Sequence, residues 1–334
     1  MDLMKVVELG IVFSMLMVHN AVADPESDLI EKLPGQREKV PFKQYGGYIT
    51  IDEEHGRALF YYFVEAHNNA TSRPLVLWLS GGPGASSLGY GAFIETGPFR
   101  LNGKVLEQNK FSWNTEVNML YVESPIGVGF SYSNTTSDYY LLNDTLTAGS
   151  TLLFLLNWFK KFPMFRDVNF YITRESYAGH YIPQLATLVI DYNKKSRVTP
   201  INLKGIAIGN PLFDIDISVN TGEFLWSHGL ISDETYQLTQ TICNNSRLLT
   251  QKFVEQNTSE ACTDVFNKVN AEIGYINRYD VTLGICLGDE SSKTQLSKLQ
   301  GILSNIGKKN TKAIDGVNLC AEDDILTYFN KNEV

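Results

Sequence analysis

Short apolar segments separated by turn residues recur along the first two thirds of the chain and predict strands, several of them too apolar to be half exposed. Such segments are typical of a buried, largely parallel sheet. Two longer segments, Asp144 to Phe159 and Ser176 to Tyr192, carry apolar residues at helical spacing, with Asn143 or Asp144 placed to cap the first. This alternation predicts an α/β layered domain. The predicted strands are Gln44 to Ile51, Ala58 to Glu65, Leu75 to Leu79, Asn118 to Val122, Asn169 to Thr173 and Lys204 to Ile208.

The pattern changes at about residue 215, where helical and polar segments follow one another to about residue 316 without a convincing buried strand. This change predicts an insertion that covers the sheet. We therefore divide the chain into a core at 24–214, an inserted cap region at 215–316, and the start of a further part of the core at 317–334.

The first 23 residues have the pattern of a cleaved secretory signal. Lys5 precedes the apolar stretch Leu9 to Val18, and Ala21-Val-Ala23 stands just before Asp24. That stretch is far shorter than the roughly 20 residues needed to span a bilayer, so a membrane anchor is disfavoured. We expect a mature chain from about Asp24 in the secretory pathway, extracellular or vacuolar, with no membrane attachment after cleavage.

Glycosylation sequons and cysteines agree with that route. For any single sequon the alternative is an unused surface asparagine. The four cysteines lie in the last third of the chain, where an oxidising compartment favours disulfides, and their three possible pairings stay open. The sequons begin at Asn69, Asn134, Asn143, Asn244 and Asn257, and the cysteines are Cys243, Cys262, Cys286 and Cys320.

Composition restricts the class of function. With 43% hydrophobic and 12% aromatic residues, the 334-residue chain can bury one large core. The net charge is -9, and basic residues form only short pairs such as Lys194-Lys195, so no nucleic-acid partner is expected. A homodimer stays open.

Ser176 is the first candidate for chemistry, because residues 170–180 predict a strand that runs directly into a helix with this serine at the bend. Hydrolases hold a nucleophile at such a corner, next to a backbone N–H that faces the developing oxyanion. The alternative is a helix N-cap. Upstream, an apolar strand ends in the glycine-rich turn Gly81-Gly82-Pro83-Gly84, which is either an ordinary turn or a second source of backbone N–H groups. Together the two corners favour acyl-transfer chemistry.

Four long blocks carry a stronger signal: GGPGASSLGYGAFIETGPF at 81–99, NMLYVESPIGVGFSYS at 118–133, ESYAGHYIPQLA at 175–186 and GIAIGNPLFD at 205–214. In this order they resemble the serine carboxypeptidase family, over roughly residues 35 to 334. The resemblance implies an α/β-hydrolase fold with an inserted helical cap. It also implies release of C-terminal residues from peptide substrates through an acyl-enzyme, with no metal and no diffusible cofactor.

By this resemblance Ser176 is the nucleophile, and the backbone N–H groups of Gly82 and Tyr177 form the oxyanion hole.

A second set of residues binds the substrate by the same resemblance. Ser80, Gly81 and Glu175 hold the free carboxylate of the peptide, and Glu95 lies near the cleft. Because two ionised carboxylates in contact repel each other, one must be protonated, which predicts an acidic pH optimum.

Three positions depart from the family pattern. Ser80 replaces an asparagine, which we expect to weaken carboxylate recognition by about 1–3 kcal/mol. Ala85 replaces a cysteine whose partner Cys320 resembles, so we expect one cysteine to be left unpaired or mispaired. Arg174 replaces a glycine two residues before the nucleophile. There we expect a distorted elbow or local unfolding, unless the guanidinium reaches solvent or pairs with a nearby acid.

The rest of the triad is not evident. The order in α/β hydrolases is serine, acid, histidine, and only His180 and His228 follow Ser176. His180 is expected to point along its own helix, and His228 to pack. Asp323 and Asp324 are expected in the first turn of a surface helix, where acidic residues favour the helix dipole.

By resemblance, the late strands and final helix of the family would lie beyond Val334. We therefore expect a C-terminally truncated and nearly inert chain. An acyltransferase of the same family and a non-catalytic or decayed product are the alternatives.

Overall fold

The computed structural model describes residues 24–102, 104–218, 222–243, 247–286, 320–332 and 334. The predicted signal at 1–23, the sequon at Asn244 and residues 287–316 of the cap region lie outside these ranges. The strands within them are β1 (Leu29–Ile30), β2 (Gln44–Asp52), β3 (Arg57–Val64), β4 (Leu75–Trp78), β5 (Phe99–Asn102), β6 (Val105–Gln108), β7 (Asn118–Val122), β8 (Phe170–Ser176) and β9 (Leu203–Pro211).

In the described part of the chain, a seven-stranded sheet has the order β1-β2-β3-β7-β4-β8-β9. The six predicted strands are confirmed, with ends that differ by three residues at most. The expectation of a largely parallel sheet is only half right, since β1, β2, β3 and β7 pair antiparallel. A short connection joins β2 to β3, and strands joined in this way can pair only antiparallel. From β7 through β4 and β8 to β9 the pairing is parallel, as expected.

The helices begin and end close to the predicted positions. The Asn143 side chain caps the first helix by accepting a hydrogen bond from the Leu146 N–H, as predicted. Two further segments, Ser87–Glu95 and Thr250–Glu255, are π-helical. The α-helices of the described residues are α1 (Asp144–Lys161), α2 (Ala178–Asn193), α3 (Ile215–Ser218), α4 (Gly222–Ser227), α5 (Asp233–Thr241), α6 (Glu260–Ile273) and α7 (Ala321–Phe329).

Each face of the sheet carries its own hydrophobic core. Helices α1 and α2 cover one face, where Trp158 stacks on Phe162 with ring centroids 4.6 Å apart. On the other face lie the π-helical segment Ser87–Glu95, the β5–β6 hairpin and α7, which contributes the buried Tyr328. The sheet is therefore buried between two layers, which explains why its central strands are almost wholly apolar.

The described portion of the cap region is helical, as predicted, and two disulfides involve this region. Cys243 pairs with Cys262, and Cys286 pairs with Cys320. Of the two outcomes expected for one cysteine, unpaired or mispaired, the unpaired one was wrong, because Cys320 has Cys286 as its partner and does not depend on a sulfur at residue 85.

Surface features agree with the sequence. Four of the five sequon asparagines are described, and all four are exposed: Asn69, Asn134, Asn143 and Asn257. Among the described residues, every helix is too short or too polar to cross a membrane.

Trp158 offers a test of the core on the helical face. Its side chain is fully buried and meets Phe63 edge to face at 5.1 Å. Trp158→Ala leaves a large cavity and should lower the free energy of unfolding by about 3–5 kcal/mol. Leu153→Ala on the same helix removes a side chain that is 47% exposed and should change it by less than about 0.5 kcal/mol. Urea denaturation measures both, and equal effects would contradict this assignment of the core.

Candidate active site

The turn between β8 and α2 has the predicted strand-to-helix geometry. Ser176 ends the strand with φ 61°, in the left-handed region that side chains rarely adopt, and α2 begins at Ala178. Tyr177 occupies the N-cap position, with no side-chain capping bond, so the alternative role of Ser176 as a helix cap is not what the structure shows. A strained backbone of this kind persists only where its surroundings hold it.

The glycine-rich turn after β4 packs directly against this elbow. A Cβ on Gly81 would lie 2.8 Å from the Tyr177 nitrogen and 3.0 Å from the Ser176 Cβ, so only glycine fits there. Gly82 follows with φ +107°. The structure thus brings together the three residues predicted for the nucleophile and the oxyanion hole.

Ser80 lies inside the glycine turn instead of facing the cleft. It is 1% exposed, its hydroxyl donates to the Ser86 carbonyl at 2.9 Å, and its N–H donates to the Ser87 hydroxyl at 2.8 Å. The N–H and the hydroxyl of Ser80 therefore already donate hydrogen bonds within the protein, and neither is left to donate to a substrate carboxylate.

A cleft of about 690 Å³ opens above Ser176. The core contributes Glu95 and Glu175 to its wall, and the opposite side includes Tyr279 and the Cys286–Cys320 disulfide. This volume lies within the usual range for small-molecule sites.

Arg174 enters this site without disrupting the elbow. Its side chain is 3% exposed and forms ion pairs with Glu95 and Glu175, each at 2.8 Å, while the guanidinium lies 5.4 Å from the Trp78 ring centroid. The expected distortion or local unfolding was wrong, and the alternative, pairing with nearby acids, is what the structure shows. The Arg174 Nε is buried without a hydrogen-bond partner among the described residues, so one N–H donor of the guanidinium is left unsatisfied.

The ion pairs set the electrostatics of the cleft. Burial raises the pKa of Glu95, the Arg174 guanidinium opposes that shift, and the neighbouring Glu175 carboxylate adds to it. One cation therefore stands between two carboxylates in the wall of the cleft.

The described histidines serve packing or structural networks. His180 packs against the Tyr177 ring at 4.9 Å, and His228 stacks on Phe224 at 4.0 Å. His55 instead hydrogen-bonds Asp138, a carboxylate that also pairs with an arginine. Within the ranges given above, no histidine hydrogen-bonds the Ser176 hydroxyl.

The acidic residues of the last helix lie at its start. Asp323 and Asp324 lie in the first turn of α7, as predicted. Asp323 also lies near the sulfurs of Cys286 and Cys320, but these form a disulfide and offer no thiolate to a metal ion.

Sequence reasoning missed Glu123, a fully buried acid next to this machinery. One of its carboxylate oxygens accepts hydrogen bonds from the Ser86 hydroxyl at 2.6 Å and the Leu88 N–H at 2.8 Å, which fixes the start of the π-helical segment. Burial raises its pKa to about 7. An acidic residue directly after the five buried positions of β7 was the available signal.

Comparisons with known proteins agree with this geometry. The family profile described as serine carboxypeptidase matches residues 34–334. This chain belongs to the serine carboxypeptidase family. Its fold is the α/β-hydrolase fold, as the sequence predicted.

Several members of the serine carboxypeptidase family are close in sequence. Serine carboxypeptidase-like 45 of Arabidopsis thaliana is 46% identical and the alignment covers 97% of this chain and 67% of that protein. Serine carboxypeptidase-like 46 of the same plant is 48% identical, with 92% and 64% covered. The chain thus spans about two thirds of the length of these relatives. The crystal structure of Kex1, a prohormone-processing carboxypeptidase of Saccharomyces cerevisiae, matches with a TM-score of 0.60 at 27% identity, over 77% of this chain and 59% of Kex1.

Removing the guanidinium tests whether the two ion pairs stabilise the site. Arg174→Met leaves the partly buried Glu95 carboxylate, which is 30% exposed, without its partner and should cost about 1–3 kcal/mol. The pKa of Glu95 then rises further above its value in the unfolded chain. The folded state of the variant therefore binds more protons than its unfolded state, and its free energy of unfolding falls as the pH rises. Denaturant melts should therefore show a larger loss at pH 8 than at pH 5.

Two further variants complete that test. Arg73→Met breaks an ion pair with Glu116 on the surface and should change stability by less than about 1 kcal/mol. Arg174→Met combined with Glu95→Gln should recover part of the loss, because the less exposed of the two carboxylates is then replaced by a neutral amide and only Glu175, which is 43% exposed, stays without a partner. If Arg174→Met melts like the parent chain at both pH values, the ion pairs do not hold this site.

Proposed function

We propose that this protein is a serine-type carboxypeptidase whose acyl-enzyme forms on Ser176. The Ser176 oxygen attacks the carbonyl carbon of the last peptide bond, the C–N bond breaks, and the C-terminal residue leaves with a proton on its nitrogen. Water then releases the acyl group. The backbone N–H groups of Gly82 and Tyr177 would stabilise the oxyanion in both steps. The left-handed elbow at Ser176, packed against Gly81, supports this proposal most directly.

Proton transfer limits what these residues can do alone. A triad needs a base that removes the proton from the serine hydroxyl, and its loss commonly lowers the rate by about 10⁴- to 10⁶-fold. Since no described histidine reaches Ser176, we propose that the 334-residue chain turns over slowly. If turnover is absent altogether, the chain has a non-catalytic role.

Acyl transfer to an alcohol is a second candidate. Both side chains that the resemblance assigned to the substrate carboxylate have protein partners, Ser80 with Ser86 and Glu175 with Arg174. A site arranged in this way favours acyl donors that lack a free carboxylate. The nucleophile and oxyanion hole would be the same in both reactions.

We also propose a route through the secretory pathway to the vacuole or the exterior. The exposed sequon asparagines and the two disulfides support it.

A fluorophosphonate probe tests the nucleophile, because it phosphonylates an activated serine without turnover. We expect slow labelling that mass spectrometry locates at Ser176, no labelling of Ser176→Ala, and unchanged labelling of Ser72→Ala, a variant of an exposed serine. Labelling that persists in folded Ser176→Ala would contradict the proposal.

The substrate class is tested with two acyl donors that are cleaved at the same peptide bond. A blocked dipeptide with a free C-terminus and its C-terminal amide differ only in the carboxylate, and an added alcohol reports transfer of the acyl group. Faster acylation by the free acid supports the carboxypeptidase, and faster acylation by the amide with transfer to the alcohol supports the transferase.

A further inference from the structure

An open groove of about 480 Å³ lies between the segment that leads into β2 and the segment that follows β3. It is separate from the catalytic cleft, and no residue lines both. The N–H of Ala66, which lines the groove, donates to Asn118 at the start of β7, whereas Ser176 ends β8. Since β7 and β8 run parallel to β4, the groove and the nucleophile lie at opposite edges of the sheet. The groove residues used below are Lys39, Phe42, Glu65, His67 and Asn69.

Two stacked rings form one wall of this groove. Phe42 lies over His67 with ring centroids 5.0 Å apart and 16° between the ring planes, and Phe42 also contacts the buried Phe99 at 6.3 Å. Both rings are only partly buried, so each keeps some surface at the groove. Burial lowers the pKa of His67, which favours a neutral ring that can both donate and accept a hydrogen bond. Lys39 and Glu65 add further polar groups.

A wall of this kind suits a sugar. A pyranose ring presents C–H groups on its faces and hydroxyl groups around its edge, so it packs on an aromatic face while hydrogen-bonding polar neighbours. The groove volume lies within the usual range for sites that hold small molecules, and it is large enough for a sugar ring.

Asn69 supplies an attachment point at the groove itself. It begins the sequon at 69–71, is exposed and lines the groove. Its backbone is left-handed with φ 53°, and its side chain forms no capping hydrogen bond with the short helix that follows. By contrast, the Asn143 side chain caps α1, and the Asn257 amide donates to Glu255 at 3.2 Å. In an N-linked glycan the asparagine amide nitrogen carries the first sugar.

We propose that Asn69 carries an N-linked glycan whose first sugar, an N-acetylglucosamine, lies in this groove. One C–H face of the sugar covers the Phe42 ring, and its polar groups hydrogen-bond His67 and Glu65. The inference rests on the proposed secretory route, because N-glycans are added there. It does not depend on the acyl chemistry of Ser176.

Attachment of the glycan is a group transfer from a lipid-linked sugar diphosphate in the host. A C–N bond forms between Asn69 Nδ2 and the anomeric carbon of the sugar, and the C–O bond between that carbon and the diphosphate breaks. The amide nitrogen loses one proton, and the lipid diphosphate leaves.

The covalent tether makes even a weak contact effective. A sugar of this size that binds with ordinary efficiency has a Kd of about 1 mM. A short tether holds it near the groove at an effective concentration of about 1–10 mM. Because the contact exists only in the folded chain, it should raise the folding equilibrium constant about 2- to 10-fold.

Glycan occupancy is tested first. The full 334-residue chain is expressed in a eukaryotic host that adds N-glycans, and mass spectrometry of its peptides locates them. We expect a glycan at Asn69. Glycans at Asn134 or Asn257 with Asn69 bare would overturn the inference and leave the secretory route standing, whereas bare asparagines at every sequon would overturn both.

Two matched substitutions then test the contact. Thr71→Ala removes the sequon of Asn69, and Thr136→Ala removes that of Asn134, which lines neither the groove nor the catalytic cleft; both threonines are exposed. In urea denaturation, Thr71→Ala should lower the folding equilibrium constant about 2- to 10-fold, and Thr136→Ala should leave it nearly unchanged. In a Phe42→Leu background, which lacks the aromatic face, the effect of Thr71→Ala should disappear. No loss in the parent chain, or equal losses in the two backgrounds, would overturn the inference.

Release of the glycan by a peptide N-glycosidase keeps the test decisive if Phe42→Leu does not fold. This enzyme cuts next to the first sugar, so a sugar held in the groove is protected. Relative to the rates after denaturation, release from Asn69 in the folded parent should be about 2- to 10-fold slower than release from Asn134. Equal relative rates would show that the first sugar of Asn69 stands in solvent and would overturn the inference.

Discussion

The close approach of Gly81 to the backbone of Ser176 and Tyr177 is the contact on which the rest of the site depends. It requires β4 and β8 to lie next to each other and parallel, because only then do the turns that follow them meet at one edge of the sheet. It also requires a residue without a side chain at position 81. Two layers of packing hold the strands in this arrangement, so the strained turn at Ser176 is fixed by the whole core.

Arg174 shows how such a site tolerates a charge where the family resemblance implies glycine. The guanidinium reaches Glu95 and Glu175 and lies over Trp78, which together replace most of the water it loses. The same contacts change the chemistry of the cleft. Glu175 pairs with the Arg174 guanidinium at 2.8 Å, so the acidic optimum inferred from the family rests on a residue that has another partner here.

Much of the architecture could be predicted from local pattern. Apolar runs located the six strands, and Ser176 was placed at its elbow because a strand, a turn and a helix each leave a signature in neighbouring residues. Contacts between distant segments leave no such signature. The Cys286–Cys320 pairing, the partners of Arg174 and the buried position of Glu123 depend on how segments far apart in sequence meet, which propensity and periodicity do not encode.

We expect the proposed oxyanion donors Gly82 and Tyr177, the proposed nucleophile Ser176 and the paired Arg174 to form one arrangement. A crystal structure of the chain phosphonylated at Ser176 would test this. We expect a phosphonyl oxygen within about 2.7–3.1 Å of the backbone nitrogens of Gly82 and Tyr177, with the guanidinium between Glu95 and Glu175. A phosphonyl oxygen directed away from both nitrogens, or a guanidinium in solvent beside a rearranged elbow, would contradict it.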